Sequence, residues 1–274
     1  MQIAARYGEI HWERTEISLS DEIISLCKQI ETDYKNPKLR LQIAQAYARQ
    51  QLFREAVESI SIALSFAAFQ PNLYRARGDY LMRLARFDEA ASDFSMALML
   101  EPTNANAGLM LGISSYFMAR FHTGEAAIRK ALSLFPPEDA KLTLSASVWM
   151  WRLLMSQGKN AEALKQIEQA VQNESPEQDA DTVLCKLYAG KLTPEAVIIS
   201  ANSMSCTAHV IEINAGLAVF CTLIGQAGIA GEICTSMKEI IDDVSVWHTL
   251  GAHLLRSELK KYGSNMNPNS GIQP

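Results

Sequence analysis

The chain has 274 residues, 25 Lys and Arg against 30 Asp and Glu, and a net charge of −5. That acidic balance argues against nucleic acid as a partner, since phosphate binding relies on clustered positive charge. The 48% hydrophobic content is ample for a continuous core. The 5 cysteines are odd in number and include no C-x-x-C pair, so free thiols in a reducing compartment, the cytoplasm, are predicted rather than a disulfide framework.

Residues 1–20 carry Arg6, Glu9, Glu13, Arg14 and Glu16 and lack the apolar run of a secretory signal. A periplasmic chain whose signal had been removed would read the same way. Tyr7, Ile10, Trp12, Ile17 and Leu19 are large apolar groups for a tail. Residues 1–19 are therefore expected to form an arm that docks on its own first helices. A sharper reading makes the arm a mask over a binding groove, or the clasp of a homodimer. In residues 20–36, Ser20 is read as the N-cap of a helix running to about Asp33, with Ile23, Ile24, Cys27 and Ile30 as its apolar face.

From Pro37 a 34-residue period sets in. The segment Pro71–Asn104 carries Tyr74, Gly78, Ala90, Phe94, Ala97 and Pro102 at the spacing of one helix–turn–helix unit. Pro37–Gln70 repeats it with Ala44, Tyr47, Ala56, Ile60 and Ala63, and Ala105–Glu138 with Gly112, Gly124, Ile128, Ala131 and Pro136. A fourth unit follows a five-residue insertion at Asp139–Thr143 and has Leu154, Gly158, Ala163, Ile167 and Ala170. Gly or Ala at the small slots lets helices approach closely, and Pro102 and Pro136 end the second helices. These four units fill residues 37–176. Residues 177–261 continue the period in a worn form. Asp179–Ala189 reads as a helix stopped by Gly190; Thr193-Pro194 starts another, and Leu217, Ala218, Gly225 and Ala230 match the spacing again. A helix from Trp247 to about Lys261 reads as a terminal cap, with Arg256, Glu258, Lys260 and Lys261 on its wet face. Residues 262–274 are rich in Asn, Pro, Gly and Ser and are predicted to be disordered.

This pattern resembles the W-x2-L-G-x2-Y…A-x3-F…P motif of the tetratricopeptide repeat (TPR) family. The resemblance implies an all-α fold: a right-handed superhelix of stacked helix–turn–helix repeats, four clear and two to three degenerate, with a C-terminal capping helix. It also implies that the first helix of each repeat lines a concave groove. Projected onto this sequence, the groove takes Lys38, Gln42, Gln45 and Arg49, then Arg75, Asp79, Met82 and Arg83. Met110, Ile113, Tyr116 and Phe117 follow, and then Trp149 and Arg152. It runs from basic and polar to apolar, with Phe117 and Trp149 turned inward as exposed anchors. The layout is also similar to that of bacterial envelope TPR lipoprotein adaptors, though no lipid-attachment cysteine stands near the start. The Lys and Asn slots of the family's chaperone-tail clamp are filled by Leu41, Gln45, Ala76 and Met110, with only Asn106 matching, so that clamp is not expected.

No catalytic, metal or cofactor site is read from the chain. His248 and His253 lie five apart and point to different faces, Cys221 and Cys234 have no basic neighbour in sequence, and Gly225, Gly228 and Gly231 do not form a phosphate-cradling motif. The uncharged run Ile213–Gly231 includes polar residues and a turn signal, so no membrane span is expected. The functional expectation is a bacterial, non-enzymatic scaffold or adaptor that binds a partner peptide or helix. The alternatives are a chaperone for apolar segments of a secreted or membrane-inserting protein, and a small-ligand sensor or helical enzyme using the irregular half near Trp151 and Tyr188.

Overall fold

The computed structural model describes residues 2–6, 9–13, 18–136, 139–172, 179–243 and 245–263. The chain divides into two compact units, residues 16–160 and residues 1–15 with 161–274. Among the described residues, the regular structure of both is helical apart from one hairpin.

In the first unit, α1 (Asp21–Thr32) is capped by Ser20, whose hydroxyl accepts from the Ile23 amide. Ile23, Leu26 and Ile30 are its buried side chains, packed with Ile43 and Ala46. Ile24, expected on that face, is 43% exposed. The helix pairs follow: α2 (Pro37–Arg49) with α3 (Phe53–Phe66), α4 (Pro71–Arg83) with α5 (Phe87–Leu100), and α6 (Ala105–Phe117) with α7 (Phe121–Leu134). The helices α2 and α4 start on proline, which suits the first turn because its missing N–H has no intrahelical partner there. Asn36 and Asn104 cap α2 and α6 by accepting from backbone amides.

Close approach within pairs follows from the small slots. A Cβ on Gly78 would stand 2.7 Å from the Phe94 ring, and one on Gly112 would stand 2.2 Å from Ile128. Polar bridges join helices within the first unit. Arg77 on α4 forks onto Asp93 of α5 at 2.7 Å and donates to Ser61 of α3. Glu125 on α7 accepts from Lys159, Arg129 and Gln157. Burial alone would raise its pKa, but these donors outweigh it and hold the carboxyl near about 2. The insertion at Asp139–Thr143 is not a loop. Asp139 caps α8 (Ala140–Ser156), and the extra residues lengthen that helix to 17 residues against 13 in α6.

The second unit contains α9 (Asn160–Gln172), α10 (Ala180–Tyr188), α11 (Pro194–Asn202), α12 (Thr207–Leu223), α13 (Ala227–Ser236), a short 3-10 turn at Ile240–Asp242 and α14 (Leu250–Gly263). Asp179 and Thr193 cap α10 and α11 as their sequences suggest. Gly190 and Gly225, both with left-handed backbone, follow α10 and α12. The uncharged run Ile213–Gly231 is thus broken between α12 and α13, and no described helix is long and apolar enough to cross a membrane. Gly228 on α13 has nothing within 4 Å of an added Cβ.

Two further expectations are corrected here. Arg256 and Glu258 do not wet the outer face of α14: they are 9% and 1% exposed. Arg256 donates to the carbonyls of Trp247 (2.6 Å) and Ile241, and Thr222 of α12 donates to Glu258 at 2.9 Å. Lys260 and Lys261 are exposed as expected. Cys206 is exposed and precedes α12, whereas Cys185, Cys221 and Cys234 are buried; all are free thiols. Finally, the arm contains an antiparallel hairpin, β1 (Gln2–Arg6) and β2 (Glu9–Glu13), with Ile3 opposite Trp12 and Ala5 opposite Ile10. The alternation Glu9-Ile10-His11-Trp12-Glu13 has the period of a strand. The hairpin groups with the second unit, where β1 runs beside the 3-10 turn, rather than with the first helices. Tyr7, Ile17 and the tail from residue 264 onward lie outside the described residues.

Candidate binding groove

The first helices α2, α4, α6 and α8 carry every groove residue singled out above. Lys38, Gln45, Arg49 and Arg83 are exposed, and Arg75, Met110 and Phe117 are half-buried. Ile113, Trp149 and Arg152 are instead buried, at 2%, 2% and 1% exposure. The expected inward anchor Trp149 is therefore a core residue. Tyr116 meets its ring edge-on at 5.5 Å, Phe117 lies 5.9 Å away, and the Arg152 guanidinium stacks on it at 4.3 Å. Stacking on an indole face is a favourable setting for a guanidinium and helps to explain how Arg152 tolerates burial. Phe117 itself stacks face to face on Phe87 at 4.2 Å. Met82, Leu109 and Val148 are likewise buried. The apolar stretch of the projected groove is mostly interior.

The polar stretch stays open. On α2, Gln42, Gln45 and Arg49 face Glu22, Ser25 and Gln29 of α1 across a recess of about 450 Å³. Arg49 and Glu22 pair at 2.5 Å with both side chains more than half exposed. On α4, Arg75 pairs with Asp79 at 3.2 Å, and Arg83 follows one turn later. Asp79 keeps 35% of its side-chain surface open, yet protein crowds the rest. This burial lifts its pKa to about 6, against the pull of Arg75 and Arg83. Burial first, and then the Asp79 charge, also raise the neighbouring Tyr80 phenol, with Arg75 and Arg49 opposing. Arg49, Arg75, Asp79, Tyr80 and Arg83 thus form one electrostatic neighbourhood spanning α2 and α4. Asp79 could be reached from sequence through its i, i+4 spacing to Arg75. Glu22 could not, because it meets Arg49 across 27 residues and on another helix.

In the second unit, Tyr188 is 3% exposed, donates to the Gly216 carbonyl at 3.1 Å and stacks on Phe220. Its hydroxyl is committed to the core rather than to a ligand pocket.

No protein-family model and no curated protein matches this sequence. Among solved structures, the crystal structure of MamA is similar at a TM-score of 0.52 and 20% identity, over 55% of this chain and 85% of that one. MamA 41-end from Desulfovibrio magneticus RS-1 is similar at a TM-score of 0.52 and 16% identity, over 57% of this chain and 85% of that one. Likeness at this identity is one of fold. With the stacked helix pairs it fits the tetratricopeptide architecture, an all-helical repeat.

Proposed function

We propose that this chain is a non-catalytic protein-interaction scaffold that holds a segment of a partner protein along α2, α4 and α6. Arg49, Arg75 and Arg83 receive carboxylates of that segment, and the half-exposed Met110 and Phe117 take an apolar side chain beside them. The observation that carries this reading is the gathering of three guanidinium groups on two neighbouring first helices, on a face that stays open. The pairs already there are easily exchanged. Solvent-exposed ion pairs of the Arg49–Glu22 kind contribute only about 0–1 kcal/mol, and an arginine forks onto an incoming carboxylate with better geometry. A chaperone of apolar segments is less favoured, because Trp149 and Ile113 are spent inside the core. A sensor built around Tyr188 loses its polar contact in the same way.

The test is an array of short acidic and neutral peptides probed with wild-type protein and with an Arg49→Ala, Arg75→Ala, Arg83→Ala variant. Acidic peptides should be captured by the wild type and lost about tenfold or more by the variant, since hydrogen bonds to charged groups contribute about 1.5–3 kcal/mol each. Equal capture by both proteins would sink the reading.

A further inference from the structure

The first repeat carries a second recess, of about 310 Å³, walled by α1, α2 and α3. By helical phase it lies on the side of α2 turned away from Gln42, Gln45 and Arg49. Ile30, Ile43 and Ile62 supply apolar walls, and Glu31, Glu55 and Glu58 supply carboxylates. Arg40, the cation among the lining residues, directs its Nε to the Tyr34 carbonyl at 3.3 Å. Glu55 Oε2 is shut off from water and has no hydrogen-bond partner. A buried acceptor left in this state is costly, and an arriving donor would relieve it.

The recess continues onto an exposed apolar edge. Ile62 is 40% exposed and stands one turn before Phe66, which is 45% exposed. Tyr34 meets Phe66 edge-on at 5.7 Å, and the Lys35 ammonium lies 5.5 Å from one ring and 5.9 Å from the other. Phe69, 85% exposed, comes three residues later. This edge already holds a cation against aromatic rings, beside a recess rich in carboxylates.

We propose that this face docks a basic amphipathic segment of a partner protein, with a Lys or Arg side chain entering the recess toward Glu55 and an apolar side chain lying on Ile62 and Phe66. Charge complementarity selects this occupant. An anionic membrane or nucleic acid would meet the glutamates and be repelled. The recess lies at the small end of ligand pockets, which run from about 300 to 1,000 Å³, so it suits one or two side chains rather than a cofactor. The site is separate from the arginine-bearing groove and opposite to it in charge preference.

The probe is a short labelled helical peptide of Leu and Lys, with a counterpart carrying Glu for every Lys, titrated into the full chain. The Lys peptide should bind, and a Glu31→Gln, Glu55→Gln, Glu58→Gln variant should weaken it by about tenfold or more, as expected for lost charge-assisted contacts. The Arg49→Ala, Arg75→Ala, Arg83→Ala variant should bind it unchanged, and the Glu peptide should gain nothing from the recess. A second readout keeps all three glutamates in place. In a Cys206→Ser background, bound Lys peptide should slow alkylation of Cys27, which lines the recess. Undiminished binding by the Gln variant, or an unchanged alkylation rate at saturating peptide, would overturn the proposal.

Discussion

Asp79 stands between Arg75 and Arg83 on α4, and its burial outweighs both cations. An aspartate in an unfolded chain titrates near about 3.9, whereas Asp79 in the fold titrates at about 6. The folded chain therefore holds an extra proton between those values, so stability falls as pH rises through that window. Removing the charge should reverse the effect. Asp79→Asn is expected to raise the melting temperature near neutral pH and to change it little near pH 4, where the carboxyl is already protonated in the fold. With 35% of the side chain in water, solvent screening limits the gain to about 1 kcal/mol or less. A gain of equal size at both pH values would show that the charge is not responsible. At this scale the sequence was only partly legible. The resemblance to the tetratricopeptide pattern projected Arg49, Arg75 and Arg83 onto the first helices, and in the structure Arg49 and Arg83 are exposed and Arg75 half-buried. It could not tell that Trp149 points into a cluster with Tyr116 and Arg152, since burial depends on neighbours from other helices.

The turns inside the helix pairs share a device. Gln51, Ala85 and Ala119 have φ of 59°, 56° and 55°, and Gly158, displaced by the insertion, has 73°. The first three recur at the 34-residue period. A left-handed backbone costs an L-residue about 1–2 kcal/mol, so the earlier repeats carry strain that the fourth avoids with glycine. Part of any gain from glycine is lost to the greater freedom of the unfolded chain. Ala119→Gly should accordingly stabilise by about 0.5–1 kcal/mol, and Gly158→Ala should destabilise by about 1 kcal/mol or more. Urea denaturation of the two variants checks the pair of signs; a destabilised Ala119→Gly would refute the argument. The same contrast explains what could be read. Gly158, Gly190 and Gly225 announce a turn in the sequence, and Pro37 and Pro71 announce a start. Ala85 and Ala119 announce nothing, because alanine is the best helix former and its left-handed conformation is imposed by the packing of the pair. The insertion at Asp139–Thr143 was legible as a change of period. Its fate as extra helix rather than loop follows from Asp139, which accepts from the Leu142 amide and starts α8 early.

At the scale of the chain, residues 16–160 form a unit whose contacts run from each helix to its neighbours. One apolar cluster holds Ala44, Ile60, Leu73 and Ala76 across α2, α3 and α4, and the Arg77 bridge ties α3, α4 and α5. The stability of such a stack is close to a sum of repeat and nearest-neighbour terms. The worn half follows a different logic, which is why it was read less well. Its caps and stops were visible and the last helix was read as a terminal cap, but Arg256 and Glu258 were placed on its wet face, whereas they are buried. Because α14 packs on α12 and α13, those two groups lie inside the fold, where Arg256 donates through its terminal nitrogens to backbone carbonyls and Glu258 accepts from Thr222. A terminal helix with interior charges has no role in a purely linear stack, whereas α1 at the other end covers Ile43 and Ala46 of the first repeat. The first unit should therefore fold without the second. A fragment of residues 16–160 is expected to show a helical circular dichroism spectrum and one cooperative melt. A fragment of residues 16–104 should keep the helical signature and melt at a lower temperature, because it lacks the interfaces that α6, α7 and α8 supply. If residues 16–160 prove unfolded, or melt no higher than residues 16–104, nearest-neighbour stacking does not govern this unit.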